Sequence, residues 1–135
     1  MDCTDIVAGA AQGYYHRIRD YYARGRHTPS LDETWGGQDD ITGATGWEKD
    51  GVTTLIFRRK ILPKNATTAG DHSLLGQLLL IWSRGQEPTE RENQFYVRDE
   101  LKYHGTGNGQ RGSIVINFGE KSSRIPGINA LVFQK

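Results

Sequence analysis

The strongest candidate for chemistry in this chain is a histidine that opens a glycine-rich turn. His104 begins the run His-Gly-Thr-Gly-Asn-Gly-Gln-Arg-Gly, which leads into the strand-like segment 113–118. This order predicts an imidazole at the mouth of a β-sheet, where loops at one end of a rigid scaffold commonly hold functional sites. A turn histidine that caps backbone groups is the alternative, and the sequence leaves both interpretations open.

The sequence signatures of common enzyme classes are absent. The chain has no Gly-x-Ser-x-Gly, no phosphate-binding loop ending in Lys-Ser or Lys-Thr, no His-Glu-x-x-His and no Cys-x-x-Cys. The spacings of the four histidines match no known metal-ligand pattern. Asp71 and His72 are adjacent, but no nucleophile can be paired with them, and this order is typical of a turn or a strand cap. We therefore expect a domain that is not an enzyme on its own.

Aromatic residues offer a second kind of site, one that binds sugar rings. Flat apolar faces stack on pyranose rings, and neighbouring polar side chains supply hydrogen bonds. The stacking candidates are Trp35, Trp47 and Tyr15, with residues 38–40 as hydrogen-bonding groups. Trp35 is expected to be an exposed ring, whereas Trp82 is expected in the core or in a pocket wall because its segment is the most apolar. The alternative is that these aromatics all belong to the core.

Length and charge restrict the class of protein. A chain of 135 residues suffices for one domain with a single core. The net charge of +1 gives no basic footprint for nucleic acid and no acidic tail. The longest apolar run, residues 78–82, is far shorter than the ~20 residues of a membrane-spanning helix. We therefore expect neither nucleic-acid binding nor a membrane-spanning segment.

The cellular compartment is left open by the residues themselves. Cys3 is the single cysteine, so it forms no internal disulfide, although a cysteine outside this chain remains an available partner. No signal peptide precedes the expected fold, which fits either a cytosolic protein or one domain of a longer secreted chain. Asn65-Ala66-Thr67 matches the glycosylation sequon of secreted glycoproteins and falls in an expected loop.

The apolar residues recur with a period of two, which predicts strands. Within residues 51–61 one face is expected to be buried and the other exposed. The expected buried face comprises Leu55, Phe57 and Ile61, and the expected exposed face comprises Ile56, Arg58 and Lys60. Asp50-Gly51 predicts a hairpin turn that pairs this strand with residues 40–47. The basic run 58–60 is expected to be a solvated edge, with an anionic partner left open for one of its members.

Further segments fit the same plan. Residues 13–22 combine β-forming residues with flanking glycines, which favours a strand over an amphipathic helix. Residues 78–82 are apolar on both faces, as in the central strand of a sandwich. The one-face pattern then recurs at Ile114, Ile116 and Phe118.

These patterns together predict an all-β protein. Helix is expected only in short turns, for example at 98–101. An immunoglobulin-like antiparallel sandwich of two sheets is the expected architecture, because it lets many half-buried strands cover one core. The domain is expected to span residues 1–121, and residues 122–135 are either a linker or one last strand.

Three segments together resemble the DOMON domain. They are residues 1–9, 71–85 and 103–118. DOMON domains are extracellular β-sandwiches that bind haem or sugar, so the resemblance implies this fold and one of these ligands. It covers most of the chain, from Met1 to about Phe118.

The resemblance implies a specific pair of haem ligands. DOMON domains that bind b-type haem have a methionine at the start of a strand and a histidine before a Gly/Asn-rich turn, and Met1 and His104 stand at those positions. An imidazole and a thioether in the two axial positions suit electron transfer, because no position is left open for oxygen. The implied function is electron transfer with a redox partner through haem b, with a propionate as the anionic partner of the run 58–60.

Other segments are similar to the DOMON domains of the Knickkopf and Skeletor proteins. They occupy residues 19–22, 36–41 and 50–60. Those proteins are extracellular in animals, and the insect Knickkopf type is tied to cuticle and chitin organisation. This resemblance implies one module of a larger secreted or membrane-attached protein. It also makes a carbohydrate- or chitin-binding module without a cofactor the competing function.

Overall fold

The computed structural model describes residues 2–62, 72–85, 101, 103–107 and 109–118. Strands account for 59% of these residues and helix is nearly absent, which confirms the all-β prediction. The strands are β1 Asp2–Gln12, β2 Tyr15–Arg24, β3 Ser30–Leu31, β4 Ile41–Lys49, β5 Val52–Arg59, β6 Gln77–Ser83 and β7 Arg111–Asn117, with a 3-10 turn at Asp32–Trp35.

All the described strand pairs are antiparallel. Three sheets are formed within the described ranges, in the strand orders β1-β2-β3, β4-β5 and β6-β7. The immunoglobulin-like sandwich remains a prediction, since these ladders establish the pairing of neighbouring strands and the all-β class.

Two tight hairpins build the first two sheets. Asp50 and Gly51 both have positive φ, 53° and 73°, so the turn between β4 and β5 has the two left-handed residues that a type I′ turn requires. The hairpin predicted from Asp50-Gly51 is therefore confirmed. Gly13 turns β1 into β2 with a φ of 58°. The strand predicted over residues 13–22 is also confirmed, because β2 occupies Tyr15–Arg24.

Close approach of the β1-β2 and β4-β5 hairpins depends on two glycines. The Leu55 side chain lies against Gly9 and Gly46, where an added Cβ would come within 3.0 Å and 2.8 Å of its methyl groups. The Glu48 amide donates to the Gly13 carbonyl over 2.9 Å, and Gly46 lies against the Cβ of His16. Since the Asp40 amide likewise donates to the Asp20 carboxylate, strands β2 and β4 run in opposite directions where they approach each other.

The main buried apolar residues lie on β2, with one more on β7. They are Ile18, Tyr21, Tyr22, Ala23 and Ile116. Strand β7 alternates as predicted, since Ile116 is 6% exposed and Val115 60% exposed. Residues 78–82 form a strand as predicted, but within the described residues β6 pairs with β7 alone and Leu79 is exposed. Its expected place as a central strand covered on both faces is not seen there.

Three individual burial predictions are wrong. Phe57, expected on the buried face of β5, is 42% exposed, because among the described residues nothing covers that part of the strand as Gly9 and Gly46 cover Leu55. Ile61, expected on a buried face, follows the end of β5 in a bend and is exposed, because the strand stops at Arg59 and its alternation no longer applies. Trp82, expected in the core or a pocket wall, is 41% exposed. Its ring lies across Gly112 on the neighbouring strand, where an added Cβ would come within 2.7 Å of the indole.

Several predictions fall outside the described residues. These are the sequon at Asn65, the short helix near 98–101 apart from Leu101, and the segment 122–135. In the part of the chain that the structure describes, no helix is long and apolar enough to span a membrane.

Candidate functional site

The loop that contains His104 is held by its own hydrogen bonds and by β6. Gly105 and Gly109 adopt positive φ values of 75° and 82°, which their lack of a side chain permits. The Gly107 amide donates to the Gln110 side-chain oxygen over 2.8 Å, and the Gln110 amide donates back to the Gly107 carbonyl over 3.3 Å. The Arg84 amide donates to the Gln110 carbonyl over 2.8 Å. The turn is thereby fixed at the end of the β6-β7 ladder.

His104 is half-buried, and one of its ring nitrogens is engaged. Nδ1 lies 2.6 Å from the carbonyl oxygen of Gly105. A carbonyl oxygen only accepts hydrogen bonds, so Nδ1 is the protonated nitrogen and Nε2 has a lone pair. No hydrogen bond to Nε2 is formed among the described residues, and the Tyr103 ring lies beside the imidazole at 4.7 Å between centroids. Metal-binding histidines are commonly oriented in this way, by an N–H that donates to a backbone carbonyl.

The other histidines do not join His104 in a metal site. The ring nitrogens of His27 lie 3.0 Å from the carbonyls of Thr28 and Arg24, and Nε2 of His72 lies 2.9 Å from the carbonyl of Cys3. No three His, Cys, Asp or Glu side chains among the described residues are arranged to hold a metal ion. Met1, the second haem ligand implied by the resemblance, lies outside the described residues. The pairing of His104 with Met1 on haem iron stays a prediction.

The predicted sugar-stacking residues lie at two ends of β2. Tyr15 starts this strand, and the hydrogen bond from Glu48 to Gly13 brings the β4 segment with Trp47 to the same end. Trp35 lies beside Arg24, the last residue of β2. Ten strand residues span about 30 Å, so Trp35 cannot share one sugar ring with the other two aromatics.

Trp35 is a half-buried ring rather than the exposed platform expected from its neighbours. The Arg24 guanidinium lies 4.3 Å from its centroid, which covers one face with a cation–π contact. Its indole nitrogen is buried and has no hydrogen bond in the described residues. The nearby polar groups differ in exposure. Asp39 is exposed and lies 3.9 Å from Arg19, whereas Asp40 is buried.

The structure contains a buried ionic cluster, and its centre is a residue predicted to be solvated. The side chain of Arg59 is only 7% exposed, and its guanidinium lies 2.5 Å from Asp5 and 3.6 Å from Asp20. The solvated-edge prediction is thus wrong for Arg59. The reason is its position on β5, because alternation places it on the same side as Leu55, which lies against Gly9 of β1 and Gly46 of β4.

A second ion pair adjoins the first. The Lys60 ammonium lies 2.8 Å from an Asp40 carboxylate oxygen, and the Asp40 amide donates to an Asp20 oxygen over 3.1 Å. Charges taken out of water are tolerated when they are paired and hydrogen-bonded in this way. Of the basic run 58–60, Arg58 alone stays exposed for an outside anion, and its Nε donates to the Thr42 hydroxyl. The buried ionic cluster is defined here as Asp5, Asp20, Asp32, Asp40, Arg59 and Lys60.

Asp32 is the carboxylate of the cluster that forms no ion pair with a basic side chain among the described residues. Its carboxyl group is buried, and no side chain among the described residues donates a hydrogen bond to it. Burial raises the pKa of Asp32, and the neighbouring charges of Asp20 and Asp5 raise it further. The Arg59 charge and a hydrogen bond from the Gln38 backbone amide act in the opposite direction.

The raised pKa of Asp32 makes the stability of the fold depend on pH. Because this pKa is higher in the folded than in the unfolded protein, the contribution of Asp32 to stability is fully present at pH values below the ordinary pKa range of a carboxyl group. That contribution is lost as the pH rises through the raised pKa.

Comparison with known proteins adds no relative. No protein-family model, no curated protein and no solved structure matches the chain.

Proposed function

We propose that this chain is a DOMON-type module that binds b-type haem through His104 and takes part in electron transfer within a larger extracellular protein. The module has no catalytic activity of its own and works with a separate redox partner. Haem supplies the one-electron chemistry when bound, and the protein supplies the axial ligands and their orientation.

The observation that carries this proposal is the state of the His104 ring. Its Nδ1–H is held by Gly105, so the ring orientation and tautomer are set before any ligand arrives. The unbonded Nε2 is the nitrogen that would reach iron. The loop is also braced through Gln110 and Arg84, which favours a ligand position of low mobility. In the haem proposal Met1 provides the second ligand.

Replacement of His104 by alanine is expected to abolish tight haem binding. Haemin titration of the unmodified protein should give a saturable Soret shift, with sharp α and β bands after reduction by dithionite. Loss of the ligand should weaken binding by more than the ~10–100-fold that loss of an outer-shell partner costs. Absorption spectra of both proteins across the titration measure the effect.

His27→Ala is the matched control for this experiment. His27 is exposed, and its ring nitrogens lie against backbone carbonyls, so its removal should leave the spectrum unchanged. A Met1→Leu variant behind a short N-terminal extension should retain haem but lose the low-spin bands, because one axial position opens. The haem proposal fails if the unmodified protein shows no saturable Soret shift, or if His104→Ala binds haem equally well.

Carbohydrate binding is the second candidate, and a surface at the β1-β2 turn favours it. Tyr14 is 94% exposed at the tip of the turn, and the neighbouring Tyr15 is also exposed. The bond from Glu48 to Gly13 brings the Trp47 segment to this tip. Exposed aromatic side chains grouped in this way are suited to stack on the rings of a polysaccharide such as chitin.

Retention on insoluble chitin tests this second candidate. The Tyr14→Ala, Tyr15→Ala double variant is expected to weaken binding by about 5- to 150-fold, since two stacking contacts of ~0.5–1.5 kcal/mol each are removed. Tyr103→Ala removes an exposed aromatic outside this surface and should retain the binding of the unmodified protein. Equal retention of the double variant and the Tyr103 control would exclude the tyrosine surface as the binding site.

A further inference from the structure

Trp82 is the exposed tryptophan of this chain, and it has a defined place on the β6-β7 hairpin. Trp35 and Trp47 are half-buried, whereas Trp82 is 41% exposed. In the register of the two strands it lies directly opposite Gly112. A large aromatic side chain that is both ordered and exposed is suited to binding, because its ring offers a wide apolar surface to a partner.

The backbone of Gly112 supports one side of the Trp82 indole. A Cβ on Gly112 would lie 2.7–2.8 Å from three adjacent ring atoms, Cε2, Nε1 and Cζ2. Nearly equal distances to three neighbouring ring atoms place that position against the flat side of the ring and not in its plane. The opposite side of the indole is therefore the side that faces solvent, and the strand pair holds it in position.

The charge beside Trp82 indicates which kind of ligand fits this ring. The Arg84 amide donates to the Gln110 carbonyl over 2.8 Å, which continues the ladder past the end of β6. Alternation therefore places Arg84 on the same side of the hairpin as Trp82, ~7 Å further along the chain. Arg84 is exposed, and the segments 83–85 and 103–112 contain no acidic residue. This end of the hairpin is thus complementary to an anion bound next to the ring.

A sugar ring that carries a carboxylate meets both requirements. The apolar C–H side of a pyranose ring stacks on an indole. A guanidinium group binds a carboxylate through two parallel hydrogen bonds. The position of Trp82 at an open end of a hairpin also suits a polysaccharide, since a polymer that stays largely hydrated does not need the enclosed cavity in which small apolar ligands bind.

We propose that Trp82 and Arg84 form a binding site for an acidic polysaccharide. The exposed side of the indole stacks on one sugar ring, and the guanidinium pairs with the carboxylate of that ring. The site uses neither His104 nor the tyrosine surface at the β1-β2 turn, so it is independent of haem binding and of chitin binding. An aromatic ring that covers a glycine also stabilises a sheet by itself, so a change in stability alone does not test this site.

Titration with galacturonic acid oligosaccharides tests the proposal, with tryptophan emission and calorimetry as the two measurements. The emission should change saturably, because Trp82 is the exposed tryptophan. Neutral galactose oligosaccharides of the same length should bind about 1.5- to 5-fold more weakly. Arg84→Gln should weaken binding of the acidic oligosaccharide by that factor and leave binding of the neutral one unchanged. Arg111→Gln is the matched control, because Arg111 is exposed but alternation places it on the other side of the hairpin.

Removal of the ring gives the second comparison. Trp82→Ala should weaken binding of the acidic oligosaccharide by about 2- to 12-fold. If this variant does not fold, Trp82→Tyr takes its place. Calorimetry should then still detect binding, because a ring is retained, whereas the change in tryptophan emission should disappear.

Four results would overturn the proposal. The first is the absence of a saturable change with acidic oligosaccharide up to ~10 mM, which exceeds a weak dissociation constant of ~1 mM about tenfold. The second is equal affinity for the neutral oligosaccharide. The third is an equal loss of affinity in Arg111→Gln and Arg84→Gln, and the fourth is an emission change that persists in Trp82→Tyr.

Discussion

Arg59→Met is expected to destabilise the protein by about 3–5 kcal/mol. Methionine keeps much of the length of the side chain but removes the charge that lies between Asp5 and Asp20. Two carboxylates would then remain at 10% and 2% exposure without their cation. Leaving buried charges unpaired is far more costly than losing an exposed ion pair, which contributes about 0–1 kcal/mol. Urea denaturation followed by tryptophan fluorescence measures the change.

Arg58→Met is the matched control, since it makes the same substitution one residue away on β5. Arg58 is exposed, and among the described residues its side chain forms a hydrogen bond only with Thr42. Its replacement should therefore lower the free energy of unfolding by about 1 kcal/mol or less. A double-mutant cycle with Asp5→Asn then isolates the 2.5 Å pair. Similar urea midpoints for the Arg58 and Arg59 variants would show that the cluster is not buried in solution.

The buried cluster shows which part of the fold the sequence can predict. The period-two pattern correctly predicted strands at β5 and β7, and the β-forming residues between glycines correctly predicted β2. The same alternation contained a signal for the cluster. Asp20 is in phase with Ile18 and Tyr22 on β2, so a charge at a buried position was already visible in the sequence.

The partner of such a charge is harder to predict. Arg59 is in phase with Leu55 and Phe57, yet its place in a basic run suggested a solvated edge. Asp5 and Arg59 are far apart in sequence, and only the packing of β1 against β5 brings them together. A pattern along one strand indicates which face a residue occupies, but it does not indicate which strand packs against that face.

For the His104 site, too, the sequence predicted one part and not the other. The glycine-rich composition of residues 103–112 correctly indicated a tight turn before a strand. The bond from Nδ1 to Gly105, which leaves Nε2 unbonded, depends on the actual path of the turn and cannot be obtained from spacing. The sugar-stacking set failed to form one surface for a related reason, since proximity of Trp35 and Trp47 in sequence says nothing about which end of β2 each approaches.

Gly46→Ala is expected to destabilise the protein by about 1–3 kcal/mol, because the contact between the two hairpins leaves no space for a methyl group. Its Cβ would lie 2.8 Å from a Leu55 methyl, 3.0 Å from the Thr54 carbonyl and 3.2 Å from the Cβ of His16. Two of these three atoms are backbone or the first side-chain carbon, so rotation of a side chain cannot relieve the overlap. Urea denaturation should show a lower midpoint with an unchanged slope.

Gly43→Ala provides the internal comparison on the same strand. An added Cβ at Gly43 meets no atom within 4 Å, and its φ is not in the left-handed region. This variant should be neutral or more stable by up to ~1 kcal/mol, because alanine lowers the entropy of the unfolded chain without strain in the folded one. A lower stability of Gly46→Ala together with an unchanged or higher stability of Gly43→Ala would locate the tight contact at Gly46. Equal stabilities would instead mean that the β1-β2 and β4-β5 hairpins do not pack against each other at Leu55.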